Sequence, residues 1–309
     1  MKQLPIGIQS FEKLRTSDLL YVDKTEIIHR LISTGNIYFL SRPRRFGKSL
    51  LISTMEALFK GKKELFEGLY IYDKWDWSQQ YPVIRIDWTQ LDHSTPGKIE
   101  TNMIGYLKEI AQNYQVTLSA QTAPDCLREL ITLLYKTTGQ RVVVLIDEYD
   151  KPITSHLFNP LLDATRTAVH NLYQVIKGAD EYLRFVFLTG VSKFSGMSIF
   201  SALNNLNDIT LHWNYVAICG YTQEELEHYF ADYIDEVAEY KDMSKNELLE
   251  EIKKWYNGYS WDGKTPVYNP FSTLLFFNNK EFDNYWFRTG TPTFLIELLK
   301  KRNQLIPIL

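Results

Sequence analysis

The 309-residue sequence predicts an α/β fold, with a parallel sheet flanked by helices and a mainly helical lid or winged-helix-like domain after it. Two observations predict the sheet. The apolar run from Ile37 to Leu40 precedes a turn with Pro43 and Gly47, and apolar residues then recur at helical spacing. Residues 142–146 are five consecutive apolar residues, mostly β-branched, which is typical of a strand buried on both faces of a parallel sheet.

A change in composition near residue 220 predicts the division of the chain. Beyond that point, Thr222 to Glu225 and Ser244 to Glu247 form two capping-box patterns, each leading into a helical run. We therefore predict an α/β domain over residues 1–220 and a helical lid or winged-helix-like domain over residues 221–309.

The first sheet strand leads into a pattern that is typical of phosphate binding. Gly47, Lys48 and Ser49 stand where the loop becomes a helix, so backbone N–H groups and the positive end of the helix dipole face one point. The Lys48 ammonium can neutralise β- and γ-phosphates, and the Ser49 hydroxyl can ligate Mg²⁺. We name residues 42–49 the phosphate loop.

The phosphate loop departs from the usual pattern at its first position. The pattern requires glycine where this sequence has Arg42, and Gly-Lys-Ser alone is also compatible with a surface lysine at a helix start. Arg44 and Arg45 can contact phosphate, although a surface role toward a partner is an equal alternative.

Two carboxylates follow the second apolar strand. Asp147 and Glu148 lie at its carboxyl end, where open α/β sheets bind ligands. Asp147 would hold Mg²⁺ beside Ser49, and Glu148 would polarise the attacking water as general base. The bland alternative for Asp147 is a cap on the next turn.

A third apolar run, residues 183–188, predicts another strand with a polar tip. Thr189 and Ser192 are candidates for sensing the γ-phosphate, provided that this strand lies beside the strand of the phosphate loop. The alternative, in which Thr189 and Gly190 only end a strand, is about equally good. Two more short strands are predicted at 208–211 and 215–219.

Composition limits the classes of function. The net charge of −3 gives no global attraction to nucleic acid or to an acidic membrane. The two cysteines, Cys126 and Cys219, are far apart, which argues against a disulfide scaffold or a zinc site. No signal peptide or membrane-length apolar run occurs, so we expect a cytoplasmic protein without a membrane partner.

Taken together, the motifs resemble a known family. These are Tyr21–Thr25, Arg42–Ser49, Leu145–Asp150, Thr189–Phe194 and Trp255–Tyr259. In this order they resemble the predicted AAA-ATPase-like family, which is common in anaerobic bacteria, and the resemblance covers nearly the whole chain. It implies a P-loop NTPase of the additional-strand (ASCE, AAA-like) type with ATP and Mg²⁺ as cofactors. Members of this family usually have arginine at the position of Arg42.

The resemblance also implies a partner. Such proteins commonly carry a PD-(D/E)XK-type nuclease domain after the ATPase part, but no Pro-Asp…Glu-x-Lys constellation occurs in this sequence. We therefore expect either a chain that ends ahead of the nuclease or a member of the family without one. A nuclease domain in cis, nucleic acid through that domain, and an oligomer are the partners left open.

The leading hypothesis is an ATP-binding, Mg²⁺-dependent ATPase module that acts as switch or motor for a nucleic-acid-directed effector. Its catalytic residues would be Lys48 and Glu148, and its metal ligands Ser49 and Asp147. The nucleotide-binding residues would be Arg44, Arg45, Phe46, Gly47, Lys48, Ser49, Leu50, Thr189 and Ser192. The alternatives are a nucleotide-gated interaction module without hydrolysis, a nucleic-acid-binding module and, more weakly, a small-molecule kinase.

Overall fold

The structure is a computed structural model that describes residues 1–191, 193 and 205–290. The sheet strands are β1 (Ile37–Ser41), β2 (Val83–Asp87), β3 (Val142–Asp147), β4 (Leu183–Gly190) and β5 (Asn207–Asp208). The helices of this part are α1 (Phe11–Thr16), α2 (Thr25–Thr34), α3 (Lys48–Phe59), α4 (Pro96–Asn113), α5 (Ala123–Thr138), α6 (Lys151–Thr154) and α7 (Leu162–Gly178).

The five strands form one parallel sheet in the order β2-β3-β4-β1-β5. An additional strand, β4, thus lies between the strand of the phosphate loop and the strand of the two carboxylates. The carboxyl ends of β1, β3 and β4 meet at one edge of the sheet as a result. The predicted α/β fold with a parallel sheet flanked by helices is confirmed.

Helices cover both faces of the sheet. On one face, α4, α5 and α7 pack against alternate strand residues such as Val144, Ile146 and Val186. On the other face, α2 and α3 pack against the intervening ones, among them Leu145 and Phe187. Because every residue of β1 and β3 is buried, the period-two pattern of a half-exposed strand is absent and the runs are continuously apolar.

The predicted strand at 215–219 is wrong. Trp213–Ile218 is instead a 3₁₀ turn, and β5 is only two residues long. The reason lies at the sheet edge, where the Ser41 N–H donates to the Thr210 side-chain hydroxyl (3.0 Å) rather than to a strand carbonyl. The Tyr215 hydroxyl lies 3.0 Å from the Thr34 hydroxyl, which holds the turn against α2.

The described residues after β5, up to residue 290, are mainly helical. They include α8 (Gln223–Tyr229), α9 (Ala231–Tyr240), α10 (Lys245–Tyr256), the antiparallel pair β6 (Tyr259–Ser260) and β7 (Pro266–Val267), α11 (Pro270–Asn279) and α12 (Tyr285–Gly290). Both capping boxes form as predicted, at Thr222 and Ser244. Leu20 and Val22 join the apolar cluster of these helices, and a domain boundary at residue 220 stays a prediction.

The described residues contain no helix that combines the length and the apolar character needed to cross a bilayer. Cys126 and Cys219 are both buried free thiols.

Candidate functional site

The last two residues of the phosphate loop, Lys48 and Ser49, are the first two residues of α3. Gly47 caps this helix with a left-handed backbone (φ 87°) and no side-chain hydrogen bond. A Cβ on Gly47 would meet no atom within 4 Å, so there is room for a side chain. Glycine is favoured here because it adopts the left-handed conformation without strain. The first N–H groups of α3 have no intrahelical acceptors and lie at the positive end of the helix dipole.

Lys48 is buried, with its side chain only 3% exposed. Its ammonium donates hydrogen bonds to the carbonyls of Arg42 and Pro43, each at 3.1 Å. The same nitrogen lies 3.5 Å from Glu148 Oε1. The structure therefore brings the loop lysine and the second strand-end carboxylate together, although they are one hundred residues apart in the sequence.

Asp147 and Glu148 occupy different environments. Asp147 is 1% exposed, and its Oδ1 accepts hydrogen bonds from the Thr189 hydroxyl (2.8 Å) and from the Glu148 N–H (3.0 Å). Glu148 is partly exposed, lines a cavity beside the phosphate loop and has a left-handed backbone with φ 51°. Strained φ values of this kind in non-glycine residues often occur at functional turns.

Thr189 lies at the end of β4, directly beside the strand of the phosphate loop, where it pairs with Leu40. Its hydroxyl donates to Asp147 and so orients this carboxylate. Thr189 itself is not one of the residues that line the cavity. Ser192, the other candidate sensor, lies outside the described residues. Lys193 forms an ion pair with Asp208 at 2.8 Å.

Asp150 is a further carboxyl of the site that the sequence did not single out. It is 1% exposed and accepts the Val191 N–H at 3.2 Å. Burial, followed by the nearby Glu148 carboxylate, raises the pKa of Asp150 to about 6. A Cβ on Gly190 would come within 2.6 Å of Asp150 Oδ1, so this close approach requires glycine. The sequence signal was its place in the Asp-Glu-Tyr-Asp run.

The other predicted loop residues all line one cavity. They are Arg44, Phe46, Gly47, Ser49, Leu50 and the exposed Arg45. The Phe46 ring is nevertheless 1% exposed and packs on Tyr259, so its side chain belongs mainly to the interior.

The cavity has a volume of about 520 Å³ and joins three parts of the chain. The phosphate loop and Glu148 form one end. Apolar side chains from the N-terminal segment and from α11 line the rest, including Ile8, Leu20, Val22, Pro270 and Leu274. Pro5, Gly7, Ile8 and Gln9 also line the cavity, although no local motif in the sequence predicts this.

Two polar side chains of the cavity come from the segment before β1. Tyr21 lines the cavity and packs edge-on against Phe11 at 5.2 Å, and burial raises the pKa of its hydroxyl. Lys24 is buried and binds both carboxylate oxygens of Glu225, an acid of α8. This buried ion pair ties the start of α2 to the C-terminal helices.

The oxygen donors at the loop fit Mg²⁺ bound together with phosphates. Ser49 offers a hydroxyl, and both hydrogen bonds to Asp147 within the described chain fall on Oδ1, which leaves Oδ2 for a metal or a metal-bound water. No cluster of three or more His, Cys, Asp or Glu suited to a metal occurs among the described residues.

Comparison with known proteins gives the family. A family model described as "Predicted AAA-ATPase" matches residues 5–200. An uncharacterised protein from the vnfD 5′ region of Azotobacter chroococcum mcd 1 is 45% identical over 310 residues. The match covers 100% of this chain and 58% of that protein, so the chain spans little more than half of its relative. No solved structure shows a significant match. With most of its length matched by the model, the chain belongs to the predicted AAA-ATPase family.

Proposed function

We propose that this chain binds ATP with Mg²⁺ in the cavity beside the phosphate loop and hydrolyses its terminal phosphate. The observation that carries the proposal is the 3.5 Å approach of Lys48 Nζ to Glu148 Oε1 at the loop end of that cavity. Phosphate binding needs a cation at the start of a helix, as Lys48 is, and water activation needs a partly exposed acid beside it, as Glu148 is.

Phosphate binding would fall to Lys48 and to the backbone N–H groups of residues 44–49. The Lys48 ammonium bonds neutral carbonyls of its own loop, and phosphate oxygens are stronger acceptors for a cation than these. The N–H groups at the start of α3 would donate without any rearrangement of the helix.

Glu148 would act as the general base. Its carboxylate would accept a proton from a water molecule as the water oxygen bonds to the γ-phosphorus, while the bond to the bridging oxygen breaks and ADP leaves. Ser49 and Asp147 would hold Mg²⁺, which supplies charge neutralisation on the phosphates when it is bound. Thr189 would keep Asp147 in its orientation through the 2.8 Å hydrogen bond.

The apolar end of the cavity supports a ligand with a flat base. A volume of about 520 Å³ falls within the range of about 300–1,000 Å³ that is common for small-molecule sites. Its apolar walls from the N-terminal segment and α11 suit the faces of a purine, and family membership favours adenine.

Titration calorimetry with Mg-ATP, paired with a phosphate-release assay, tests the proposal. Glu148→Gln should bind Mg-ATP within about threefold of the wild type, because amide and carboxylate have the same shape, and should release phosphate about 10²- to 10⁴-fold more slowly. Glu250→Gln, at an exposed position of α10, is the matched control and should retain both properties.

Wild-type protein that fails to bind Mg-ATP would remove the whole proposal. Unchanged turnover in Glu148→Gln would remove Glu148 as the base and leave nucleotide binding standing.

A nucleotide-gated interaction module without hydrolysis is the second candidate. Arg288, a basic residue that could complete a hydrolytic site, instead forms an ion pair with Asp283 at 2.7 Å and is largely exposed. Tight Mg-ATP binding without phosphate release above the buffer rate would favour this candidate.

We also propose, on the family resemblance alone, that residues 221–309 act as a lid and that nucleotide binding switches or powers a nucleic-acid-directed effector, such as a nuclease domain in cis. The greater length of the Azotobacter relative leaves room for such a domain in that protein. Gel shifts of this chain over a salt series separate the idea from direct nucleic-acid binding through Arg44 and Arg45, which would weaken steeply with salt.

A further inference from the structure

The phosphate loop is held by aromatic side chains from the C-terminal part of the chain. The Phe46 ring meets the Tyr259 ring edge-on at 4.7 Å and the Trp261 ring at 5.8 Å. The Trp286 indole N–H donates to the Arg44 carbonyl at 2.8 Å. These contacts join residues more than two hundred positions apart, on the loop that would bind phosphate.

Arg45 adds a contact of the same kind. Its guanidinium lies 4.9 Å from the centre of the Phe271 ring, on α11. We call the four residues Tyr259, Trp261, Phe271 and Trp286 the loop clamp.

Arg42 is the centre of this arrangement. It is fully buried, and its guanidinium lies 4.4 Å from the centre of the Trp261 ring. Its Nη1 donates to the carbonyls of Ser41 (2.8 Å) and Thr210 (2.9 Å), and its Nη2 donates to that of Tyr215 (3.4 Å). Within the described chain it has no carboxylate partner at ion-pair distance. Its positive charge is therefore stabilised by carbonyl dipoles and by the face of the indole ring.

The backbone at position 42 does not need glycine. Arg42 is absent from the residues with positive φ, whereas Arg45 (φ 66°) and Gly47 (φ 87°) have left-handed conformations. The arginine side chain runs into the interior toward Trp261, and the Arg42 carbonyl still accepts from the Lys48 ammonium. Arginine at position 42 therefore adds side-chain contacts to the loop at a backbone position that does not require glycine.

We propose that Arg42 is a positioning residue, which acts with the loop clamp to hold the backbone of the phosphate loop in its nucleotide-binding shape and couples that shape to the C-terminal helices. This inference rests on the proposed function, since it concerns affinity for the same ligand. Coupling is reciprocal: if the clamp strengthens nucleotide binding, nucleotide binding must stabilise the clamp by the same factor.

Trp286→Phe is the sharpest test, because it keeps an aromatic ring, although a smaller one, and removes the N–H whose hydrogen bond the Arg44 carbonyl accepts. We expect Mg-ATP to bind about fivefold more weakly, the equivalent of one hydrogen bond. The unfolding midpoint without nucleotide should change little, since Trp286 is only partly buried. Trp255→Phe is the control, because Trp255 stacks on Phe282, and none of its ring contacts or hydrogen bonds within the described part of the chain involves the loop.

Arg42→Gly restores the usual loop pattern and tests the role of Arg42 in the proposal. We expect at least tenfold weaker Mg-ATP binding, with Arg42→Lys intermediate because lysine keeps the charge and loses the planar fork. If Arg42 were only a tolerated replacement, the glycine variant would bind as well as the wild type or better. Addition of Mg-ATP to the wild type should also change tryptophan fluorescence, less so in Trp286→Phe and equally in Trp255→Phe.

The outcomes are distinguishable. A wild type that does not bind Mg-ATP overturns the proposed function and this inference together. A wild type that binds, with unchanged affinity in both Trp286→Phe and Arg42→Gly, overturns the clamp alone. Should Arg42→Gly fail to fold, the Trp286→Phe affinity decides: a loss supports the clamp and an unchanged value refutes it.

Discussion

Replacement of Lys48 by methionine is the most direct perturbation of the candidate site. Methionine has nearly the length of the lysine side chain and no charge, so the packing of a side chain that is 3% exposed is largely kept. The lost interactions are the hydrogen bonds to the Arg42 and Pro43 carbonyls and the attraction to Glu148 at 3.5 Å. Glu148 remains partly exposed and can be hydrated, so we expect the variant to fold.

The magnitude follows from the donors of Lys48. An ammonium that bonds loop carbonyls can give two of its protons to phosphate oxygens, and each charge-assisted hydrogen bond contributes about 1.5–3 kcal/mol. Two of them amount to about 3–6 kcal/mol, or about 10²- to 10⁴-fold weaker binding of Mg-ATP. Lys48→Ala should lose at least as much, because it also leaves a void.

Equilibrium titration with Mg-ATP measures this loss. Lys60→Met is the matched control, because Lys60 directly follows the other end of α3 and, among the described residues, forms its ion pair with Glu56 one turn earlier, at 2.7 Å. Its affinity should stay within about twofold, as expected for an exposed helix pair of about 0.5 kcal/mol. Affinity of Lys48→Met within threefold of the wild type would refute the assignment of the phosphates to this loop.

Three further predictions concern the groups around Lys48. Because the pKa of Asp150 is raised from 3.8 to about 6 in the folded protein, stability should fall as pH rises from about 4 to 6; Asp150→Asn should remove about 2–3 kcal/mol of that fall in urea unfolding. Lys24→Met should lower the free energy of unfolding by about 3 kcal/mol, since it leaves the Glu225 carboxylate buried without a cation, and adding Glu225→Gln should recover most of it. Thr189→Val should raise the Mg²⁺ concentration for half-maximal phosphate release by removing the donor to Asp147, whereas Thr189→Ser should not. An unchanged pH profile, an unaffected single variant or an unaffected Mg²⁺ requirement would contradict these in turn.

The parts of the fold that the sequence predicted correctly are those with local causes. A continuous apolar run of β-branched residues such as 142–146 favours a strand that is covered on both faces, and the structure has that strand. The glycine at position 47 predicts the left-handed turn from which α3 begins, and this too is local. The capping boxes at Thr222 and Ser244 involve residues only three positions apart, so their hydrogen bonds follow from the local sequence.

The parts that the sequence could not predict depend on distant partners. Tyr215 sits in a 3₁₀ turn because its hydroxyl meets Thr34, far earlier in the chain. Phe46 is a predicted nucleotide contact, but its ring packs against the rings of Tyr259 and Trp261. Residues 5–9 have no motif, and they line the cavity only because the N-terminal segment is fixed against the C-terminal helices, where the Tyr233 hydroxyl donates to the Lys2 carbonyl at 2.6 Å.

Two residues of the candidate site combine a side chain with a backbone conformation that favours glycine. Arg45 has φ 66° and Glu148 has φ 51°, and a left-handed conformation costs a non-glycine residue about 1–2 kcal/mol. Glycine would relieve that strain but would also remove the Arg45 stack on Phe271 and the Glu148 carboxylate beside Lys48. The strain at Arg45 and at Glu148 is therefore offset by the contact that each residue makes with a distant part of the chain. A loop held in this way depends on the C-terminal helices for its shape, so changes in those helices should alter nucleotide affinity even where they leave the sheet untouched.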